Sequence, residues 1–230
     1  MTSAPPLPTG GAKASAVRSM FDTIAPRYDL VNRLMTFGMD RGWRRRTVAS
    51  LTVDVGATVV DVACGTGDLC RDLARAGYRP VGIDLSAGML AHARTSAPLV
   101  HGDGLFLPFA DGHLDGAVSG FALRNFVALD PLLAELARVL RRGGRIALLD
   151  VATPANPVIR TGHAVYFGHV VPRLGGMLSD GAAYRYLPRS VAYLPPLADL
   201  LDQVRDAGFD AVERRLLSGG IVQLITATRR

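Results

Sequence analysis

The fold is decided by the stretch Val59-Val60-Asp61-Val62-Ala63-Cys64-Gly65-Thr66-Gly67-Asp68. Its first residues are typical of a buried strand, two glycines then form a turn, and the residues that follow have helical spacing. This order is found where ligands bind open α/β sheets, because a glycine turn lets a ligand approach the backbone and the helix N-terminus. The sequence therefore predicts a ligand site at residues 61–68.

Three features of this loop favour a nucleoside with a cationic group over a dinucleotide. A dinucleotide fingerprint has a third glycine where this chain has Cys70. Asp68 stands at the helix N-terminus, where a pyrophosphate would bind, and Asp61 adds a negative charge before the loop. We expect the loop to bind a nucleoside that carries an amino acid or a sulfonium, and S-adenosylmethionine fits that description.

Two more acidic positions follow the next predicted strands. Asp84 lies 19 residues after Gly65, where a carboxylate can accept hydrogen bonds from ribose hydroxyls. Asp103 follows the third strand, where a side chain could meet the adenine amino group. One such aspartate is as often a turn cap as a ligand, but three at the ends of consecutive strands converge on one edge of the sheet. The predicted cofactor-binding residues are Tyr28, Asp61, Gly65, Thr66, Gly67, Asp84, Leu85, Asp103 and Gly104.

Strands and helices alternate from residue 58 onward, which predicts a doubly wound, mostly parallel α/β sheet of seven strands. Residues 15–50 have the spacing of two or three short helices, and residues 1–16 are expected to be a disordered tail before one domain at 17–230. Residues 152–196 are too long for a connection and too aromatic for disorder, so we interpret them as an inserted cap over the site. The predicted strands are 58–62, 80–84, 99–101, 115–120, 145–151, 209–217 and 221–228, with Gly143 and Gly144 as the turn before the fifth.

The composition limits the class of protein. A content of 49% hydrophobic and 20% charged residues excludes a disordered or fibrous chain. No stretch approaches the roughly 18 apolar residues of a membrane span, and the N-terminus lacks the apolar segment of a secretion signal. Two cysteines are too few for a disulfide framework or a four-cysteine metal site. We expect a cytoplasmic protein without a metal centre.

The net charge is +6, and 25 of the 26 cationic residues are arginines. Such a surface can be an ordinary one in an arginine-rich composition, or it can attract nucleic acid or an anionic membrane. The densest cluster flanks the single tryptophan, Trp43. Arginines around a tryptophan suit a helix that lies on lipid, and they suit a plain amphipathic helix nearly as well. The cluster consists of Arg41, Arg44, Arg45 and Arg46.

Five motifs resemble those of the ubiquinone/menaquinone biosynthesis C-methyltransferases, a family of class I S-adenosylmethionine-dependent methyltransferases, over residues 17–225. Two of them, Phe121–Asn125 and Tyr184–Val191, are specific to that family. Ala122 stands where the family usually has glycine, and 126–128 and 220–224 also depart from its pattern. The motifs are Met20-Phe21-Asp22 together with Tyr28–Asn32 as the first, and then Asp61–Asp68, Leu107–Asp111, Phe121–Asn125 and Tyr184–Val191.

The resemblance implies methylation of a ring carbon in a prenylated hydroquinone, with demethylmenaquinol converted to menaquinol. Ring attack needs an ortho phenolate, which we expect Arg124 to stabilise, with Asn125 beside it facing the methyl donor. A base could be His169 or a tyrosine of the cap. The predicted catalytic residues are Arg124, Asn125, His169 and Tyr184, with Tyr166 and Tyr186 as further tyrosine candidates.

Several alternatives stay open at this level. The acceptor could be a benzoquinol, another lipid phenol or a natural product, and a homodimer is not excluded. An RNA methyltransferase would need an Asn-Pro-Pro-Tyr-like motif after the fourth strand or basic residues interleaved with aromatic ones, which the sequence lacks there. We therefore expect no nucleic acid partner, and we expect peripheral contact with the inner face of an anionic membrane.

Overall fold

The computed structural model describes residues 7–178 and 181–230, without the side chains of 174, 175, 177, 178, 181, 182, 184, 185 and 187. In this part of the chain, the strands form one seven-stranded sheet. The strands are β1 (Thr58–Val62), β2 (Arg79–Asp84), β3 (Leu99–His101), β4 (Leu114–Gly120), β5 (Leu140–Val151), β6 (Phe209–Leu217) and β7 (Val222–Arg229).

Helices cover both faces of this sheet. The described helices are α1 (Gly10–Ile24), α2 (Tyr28–Met35), α3 (Asp40–Ala49), α4 (Asp68–Arg75), α5 (Ala87–Ala91), α6 (Leu129–Val139), α7 (Pro157–Val165), α8 (Val171–Leu178), α9 (Gly181–Ser190) and α10 (Leu197–Asp206). A π-helical turn, Tyr166–Val170, joins α7 to α8. The short 3-10 turns are Ala25–Arg27, Leu123–Asn125, Val191–Tyr193 and Ser218–Gly220.

The strand order is β3-β2-β1-β4-β5-β7-β6, and β7 pairs antiparallel with β5 and β6 while the other neighbours pair parallel. The predicted doubly wound, mostly parallel sheet is confirmed. β1 and β4 run parallel, but strands β2 and β3 are added on one side of this pair and β5 to β7 on the other, so the strand order reverses here. Such a switch point leaves a crevice at the carboxyl ends of the strands. The crevice is therefore expected beyond Val62 and Gly120.

β1 is apolar because both of its faces are covered. Val59 packs in a cluster with Trp43 of α3 and Leu69 of α4. Val60 belongs to the opposite cluster, which includes Leu133 of α6. A parallel strand buried on both faces reads as a continuous apolar run, so the sequence located β1 at the bounds observed.

The predicted disordered tail does not extend to residue 16. Helix α1 begins at Gly10, so residues 10–16 are helical, whereas residues 1–6 lie outside the described part. The helix is held in place by Lys13, which is buried. Its Nζ donates a hydrogen bond of 2.6 Å to the Phe126 carbonyl and lies 3.6 Å from the ring centroid of Tyr193. These partners are distant in sequence and give the tail no local signal.

The fifth strand starts earlier than predicted. β5 begins at Leu140, and its pairing with β4 shifts between Leu114↔Leu140 and Gly116↔Arg145. Gly143 and Gly144 therefore lie in an irregularity within β5 and do not form a turn before it. Gly143 has φ +77°, which favours glycine at this position.

The cap predicted at residues 152–196 is helical and comprises α7, the π-helical turn, α8 and α9. It packs on the N-terminal helices, since the Tyr166 hydroxyl donates a hydrogen bond of 3.0 Å to the carbonyl of Met35 at the end of α2. Among the described residues, no helix has both the length and the apolar character required to cross a membrane.

Candidate active site

Three cavities meet at the carboxyl ends of β1 and β4. The nucleoside cleft is the one lined by Asp84, the amino-acid cleft is the one lined by Asp61, and the acceptor cavity is the one lined by Arg124. All three are lined by Tyr28 and Phe121, so they are parts of one continuous site. The crevice expected at the switch point is present.

The nucleoside cleft contains Asp84, as predicted, at the end of β2. One carboxylate oxygen of Asp84 accepts a hydrogen bond of 2.7 Å from the Gly65 amide, and the other accepts a hydrogen bond of 2.8 Å from the Ser86 amide. Burial raises the pKa of Asp84, and these two amide donors act against that rise. Leu85, Asp103 and Gly104, which the sequence also predicted for this site, line the same cleft. Asp103 in addition caps its own turn, since Oδ1 accepts from the Leu105 amide at 3.0 Å.

Helix α1 forms the roof of the nucleoside cleft. Val17 and Phe21 line the cleft from above. The helix is clamped by Asp22, whose Oδ1 accepts hydrogen bonds from the Ser86 hydroxyl at 2.6 Å and the Gly88 amide at 2.9 Å. These donors hold the pKa of Asp22 below its usual range. Asp22 was predicted only as part of a motif. Its structural role depends on Ser86, which caps α5 and is 64 residues away in sequence.

Asp61 is the most unusual group in the site. It is 1% exposed, and its Oδ1 atom is buried without a hydrogen-bond partner among the described residues. Its Oδ2 atom accepts from the Cys70 thiol at 3.4 Å. Burial raises the pKa of Asp61 to about 7. An orphaned carboxylate oxygen costs stability unless a donor fills the cleft, and a ligand ammonium would be such a donor.

The loop between β1 and α4 uses backbone conformations that are unusual for most residues. Gly65 and Gly67 have φ values of +55° and +79°, and Ala63 has +58° although it carries a side chain. A Cβ at Gly67 would come within 2.6 Å of Thr95 Cγ2, so glycine is required there. The Thr66 hydroxyl donates a 2.5 Å hydrogen bond to Asp29 Oδ1, which ties the loop to α2.

Asp68 does not present a free charge to a ligand, in contrast to the expectation from its place in the sequence. Its Oδ2 lies 2.9 Å from Arg44 Nη1, and its Oδ1 pairs with Arg71. Arg44 also pairs with Asp72 at 3.0 Å and with Asp40. Asp61 is therefore the carboxylate that remains available for a cationic ligand.

These ion pairs also correct the predicted role of the arginine cluster. The Arg44 side chain is 11% exposed and is held between α3 and α4 by three carboxylates, so it cannot meet a membrane. Trp43 is 4% exposed, and its indole N–H donates a 2.8 Å hydrogen bond to the Ser218 hydroxyl. Of the cluster, Arg41, Arg45 and Arg46 are exposed.

The acceptor cavity lies between the N-terminal helices and the cap and has a volume of about 730 Å³. Its walls are mostly apolar and aromatic. Phe121, which separates it from the two cofactor clefts, has φ +60°, a conformation that is strained for a bulky residue and is found most often at functional sites. The aromatic walls include Phe21, Tyr28, Phe37, Trp43, Phe121, Tyr166 and Phe167.

Arg124 is the principal charged group of this cavity. It is 7% exposed and pairs with Asp150, which is fully buried. Its Nε donates to the Ser190 hydroxyl at 3.1 Å, and its Nη1 also donates to the Phe121 carbonyl at 2.7 Å. No hydrogen bond among the described residues uses Nη2. The guanidinium is thus fixed in position at the cavity wall, and Asp150 is a partner that sequence reasoning missed.

Asn125 lies on the other side of the wall and lines the nucleoside cleft, not the acceptor cavity. Its Oδ1 accepts a hydrogen bond of 3.4 Å from the Tyr186 hydroxyl. Burial raises the pKa of Tyr186 to about 12, so that hydroxyl stays protonated and serves as a donor. Asn125 therefore lies on the side of the wall that faces the nucleoside cleft.

The histidine that lines the acceptor cavity is not the predicted His169. His169 is exposed and does not line the acceptor cavity, whereas His163 does. The ring centroids of His163 and Phe167 lie 4.4 Å apart. Burial lowers the pKa of His163, which favours the neutral imidazole at pH 7. The Tyr166 hydroxyl is engaged with Met35, and the side chain of Tyr184 lies outside the described residues.

Comparisons with known proteins agree with this geometry. The family model described as the ubiE/COQ5 methyltransferase family matches residues 9–229. The ubiquinone/menaquinone biosynthesis C-methyltransferase UbiE of Syntrophotalea carbinolica is 42% identical, over 92% of this chain and 93% of that protein. The demethylmenaquinone methyltransferase of Roseiflexus castenholzii is 39% identical, over 97% of this chain and 98% of that protein.

Solved structures share the fold at low sequence identity. A methyltransferase of Thermotoga maritima superposes with a TM-score of 0.64 at 17% identity, covering 93% of this chain and all of that one. Phosphoethanolamine N-methyltransferase 2 of Haemonchus contortus, solved with S-adenosyl-L-methionine, gives 0.60 at 14% identity, covering 82% of this chain and 52% of that one. These likenesses establish the fold of the sheet and its helices.

Proposed function

The chain belongs to the ubiE/COQ5 methyltransferase family, and from this premise we propose that it methylates a ring carbon of a polyprenylated hydroquinone with S-adenosylmethionine as donor. We name demethylmenaquinol as the acceptor, since relatives over nearly the whole chain are demethylmenaquinone methyltransferases. The products are then menaquinol and S-adenosylhomocysteine.

The observation that carries this proposal is the meeting of an apolar cavity with two polar clefts. The acceptor cavity of about 730 Å³ is large enough for an aromatic head group and part of a prenyl chain. It meets both cofactor clefts at Tyr28 and Phe121. A donor in the clefts and an acceptor in the cavity would therefore come together at this junction.

The residues of the clefts fit S-adenosylmethionine. Asp84 would accept hydrogen bonds from the ribose hydroxyls, and Asp103 and Asn125 lie where the adenine would bind. The buried Oδ1 of Asp61 has no partner among the described residues, and the ammonium of the methionine part would supply one. When bound, this cofactor supplies a methyl group activated by a sulfonium.

The residues of the acceptor cavity fit a quinol that must become a phenolate. Ionisation of the hydroxyl next to the reacting carbon raises the electron density of the ring. Arg124 would stabilise that phenolate, because its guanidinium is held in the wall by Asp150 and Ser190. His163 is neutral and can accept the hydroxyl proton. The aromatic walls exclude water from the reaction.

The lipid nature of the acceptor implies where the enzyme works. A prenylated quinol is dissolved in the bilayer, so we propose that the enzyme acts in the cytoplasm, in peripheral contact with the inner face of an anionic membrane. The positive net charge favours this contact.

Quinone analysis of cells tests the proposed function. Cells that lack the protein should accumulate demethylmenaquinone, measured by mass spectrometry, and the wild-type gene should restore menaquinone. The variant Asp61→Ala should not restore it, whereas Phe106→Ser, which changes an exposed residue outside the three cavities, should. A quinone pool that does not change on loss of the protein would contradict the proposal.

A further inference from the structure

Exposed apolar side chains are concentrated beside the acceptor cavity. Of the thirteen large apolar side chains that are exposed in the described residues, four lie between Leu30 and Met39 and four lie between Val158 and Val170. Phe37 is 75% exposed and Val158 is 79% exposed. We call these eight side chains the rim patch. Contiguous apolar surface of this kind marks an interaction site.

The two halves of the rim patch form stripes that meet. Leu30, Leu34 and Phe37 are spaced by four and three residues, which places them along one side of α2 and the turn after it. Val158 and Val165 are seven residues apart and share a face of α7. The stripes meet where the ring of Phe37 lies 5.5 Å from the ring of Tyr166.

The rim patch surrounds an opening of the acceptor cavity. Phe37, Met39 and Ile159 are exposed to solvent, and the same three side chains line the cavity. Phe37 has φ +51°, which is strained for an aromatic residue and keeps its ring at the opening. An apolar molecule can therefore enter the cavity from this surface without crossing polar surface.

The charge around the opening is positive. Arg160 is exposed and lines the cavity, and Arg33 is exposed on α2. Neither forms an ion pair within residues 7–178 and 181–230. The cap sequence, 152–196, contains four arginines and a single acidic residue. Apolar side chains flanked by arginines match the interface of an anionic bilayer, where cations meet headgroups and apolar groups meet acyl chains.

We propose that the rim patch docks on an anionic lipid bilayer, so that the prenyl chain of the acceptor passes from the membrane directly into the cavity. This inference rests on the proposed function, since a water-soluble acceptor needs no such route. It places the membrane contact at α2 and α7 and not at the arginine cluster of α3, where Trp43 is buried and Arg44 is paired with Asp68 and Asp72.

A fluorescence comparison tests the docking without any acceptor. Phe37→Trp and Phe106→Trp place an indole at two sites of similar exposure, 75% and 78%, of which only Phe37 lines the cavity. The buried Trp43 supplies the same background in both variants. With vesicles of phosphatidylglycerol and brominated phosphatidylcholine, we expect quenching of the added fluorescence in Phe37→Trp alone. Equal quenching in both variants, or none in either, would overturn the proposal.

Vesicle sedimentation and turnover supply a second test with side chains outside the cavity. The variant Val158→Ser/Val165→Ser should bind anionic vesicles about fivefold or more weakly, because two apolar groups leave the interface. In the matched variant Arg45→Gln/Arg46→Gln, binding to the same vesicles should weaken by less than half as much. Turnover of an acceptor in vesicles should fall in the valine variant, whereas turnover of a water-soluble quinol without a prenyl chain should not.

The outcomes separate this inference from the proposed function. If the wild type methylates the vesicle-bound acceptor and the valine variant does so equally well, the docking is wrong and the proposed function stands. If the wild type methylates no quinol, the proposed function fails, and the fluorescence comparison still decides the docking. If the wild type is a dimer in sedimentation equilibrium and the valine variant is a monomer, the rim patch joins two copies of the chain and the proposal is overturned.

Discussion

The substitution Arg124→Lys separates the two tasks of this side chain. Lysine keeps the positive charge and can still meet Asp150, but it has no planar fork. It must give up the hydrogen bond from Nε to Ser190 and the one from Nη1 to the Phe121 carbonyl. We therefore expect the variant to lose both stability and turnover.

The size of the stability loss follows from these contacts. A hydrogen bond from a charged donor contributes about 1.5–3 kcal/mol, and lysine recovers part of one, so the free energy of unfolding should fall by roughly 2–4 kcal/mol. In a domain of this length, that corresponds to a decrease in Tm of about 5–15 °C. Turnover should fall on the order of tenfold to a thousandfold, the range for losing one donor to a developing anion.

The assays are urea unfolding, steady-state turnover of the quinol and calorimetry with S-adenosylmethionine. Affinity for the cofactor should stay within about twofold, because Arg124 does not line either cofactor cleft. Arg141→Lys is the matched control, since Arg141 pairs with Asp115 at the surface and should lose less than about 1 kcal/mol. A variant that is destabilised but turns over normally would show that Arg124 only supports the structure. A variant unchanged in both respects would refute the account of this buried pair.

Three further predictions concern the clefts and the base. Asp84→Asn should weaken S-adenosylmethionine binding by about 1–3 kcal/mol in calorimetry, and unchanged affinity would remove Asp84 from the ribose site. Burial raises the pKa of Asp61 from 3.8 to about 7, so the folded state loses stability as the pH rises through this interval. The variant Asp61→Asn should therefore be more stable than the wild type at pH 8 and equally stable near pH 3. The same variant should bind the cofactor more weakly at pH 8. Equal Tm values for the variant and the wild type at pH 8 would contradict the inference that the buried Asp61 carboxylate is destabilising when ionised. Because burial lowers the pKa of His163, kcat/KM of the wild type should fall only below about pH 6.5. The variant His163→Gln should be slow at every pH and should not show this decrease at low pH. The variant His169→Gln should retain the pH profile of the wild type.

Local sequence signals predicted the sheet and the cofactor loop. β1, β3 and β6 have the predicted bounds, because apolar or β-branched runs between turn residues depend little on distant contacts. The Ser86 side chain caps α5 by accepting a hydrogen bond from the Met89 amide, and a serine at the start of a helix is a local signal of this kind. The glycines of the loop also follow from local backbone geometry, since their positive φ values require them.

Tertiary contacts decided the features that the sequence did not show. Lys13 orders the N-terminal helix through Tyr193, which is 180 residues away. Arg44 is distinguished from Arg45 by acidic partners on α4, and nothing in the arginine run itself reveals which member is paired with them.

The position of the base depends on a change of helical phase. His163 lies in the last turn of α7, and His169 lies in the π-helical turn, Tyr166–Val170. A π-helical turn adds residues to one turn and so rotates the side chains after it relative to a regular helix. Spacing arguments that assume 3.6 residues per turn cannot tell which histidine faces the cavity.

The redox state of the acceptor tests the central claim most directly. A quinone has no hydroxyl to ionise and its ring is electron-poor, so only the quinol can form the phenolate that Arg124 would stabilise. Under anaerobic conditions, the wild-type enzyme with S-adenosylmethionine should methylate dithionite-reduced demethylmenaquinone and should leave the oxidised form at background. Methylation of the oxidised quinone at the rate of the quinol would contradict the account.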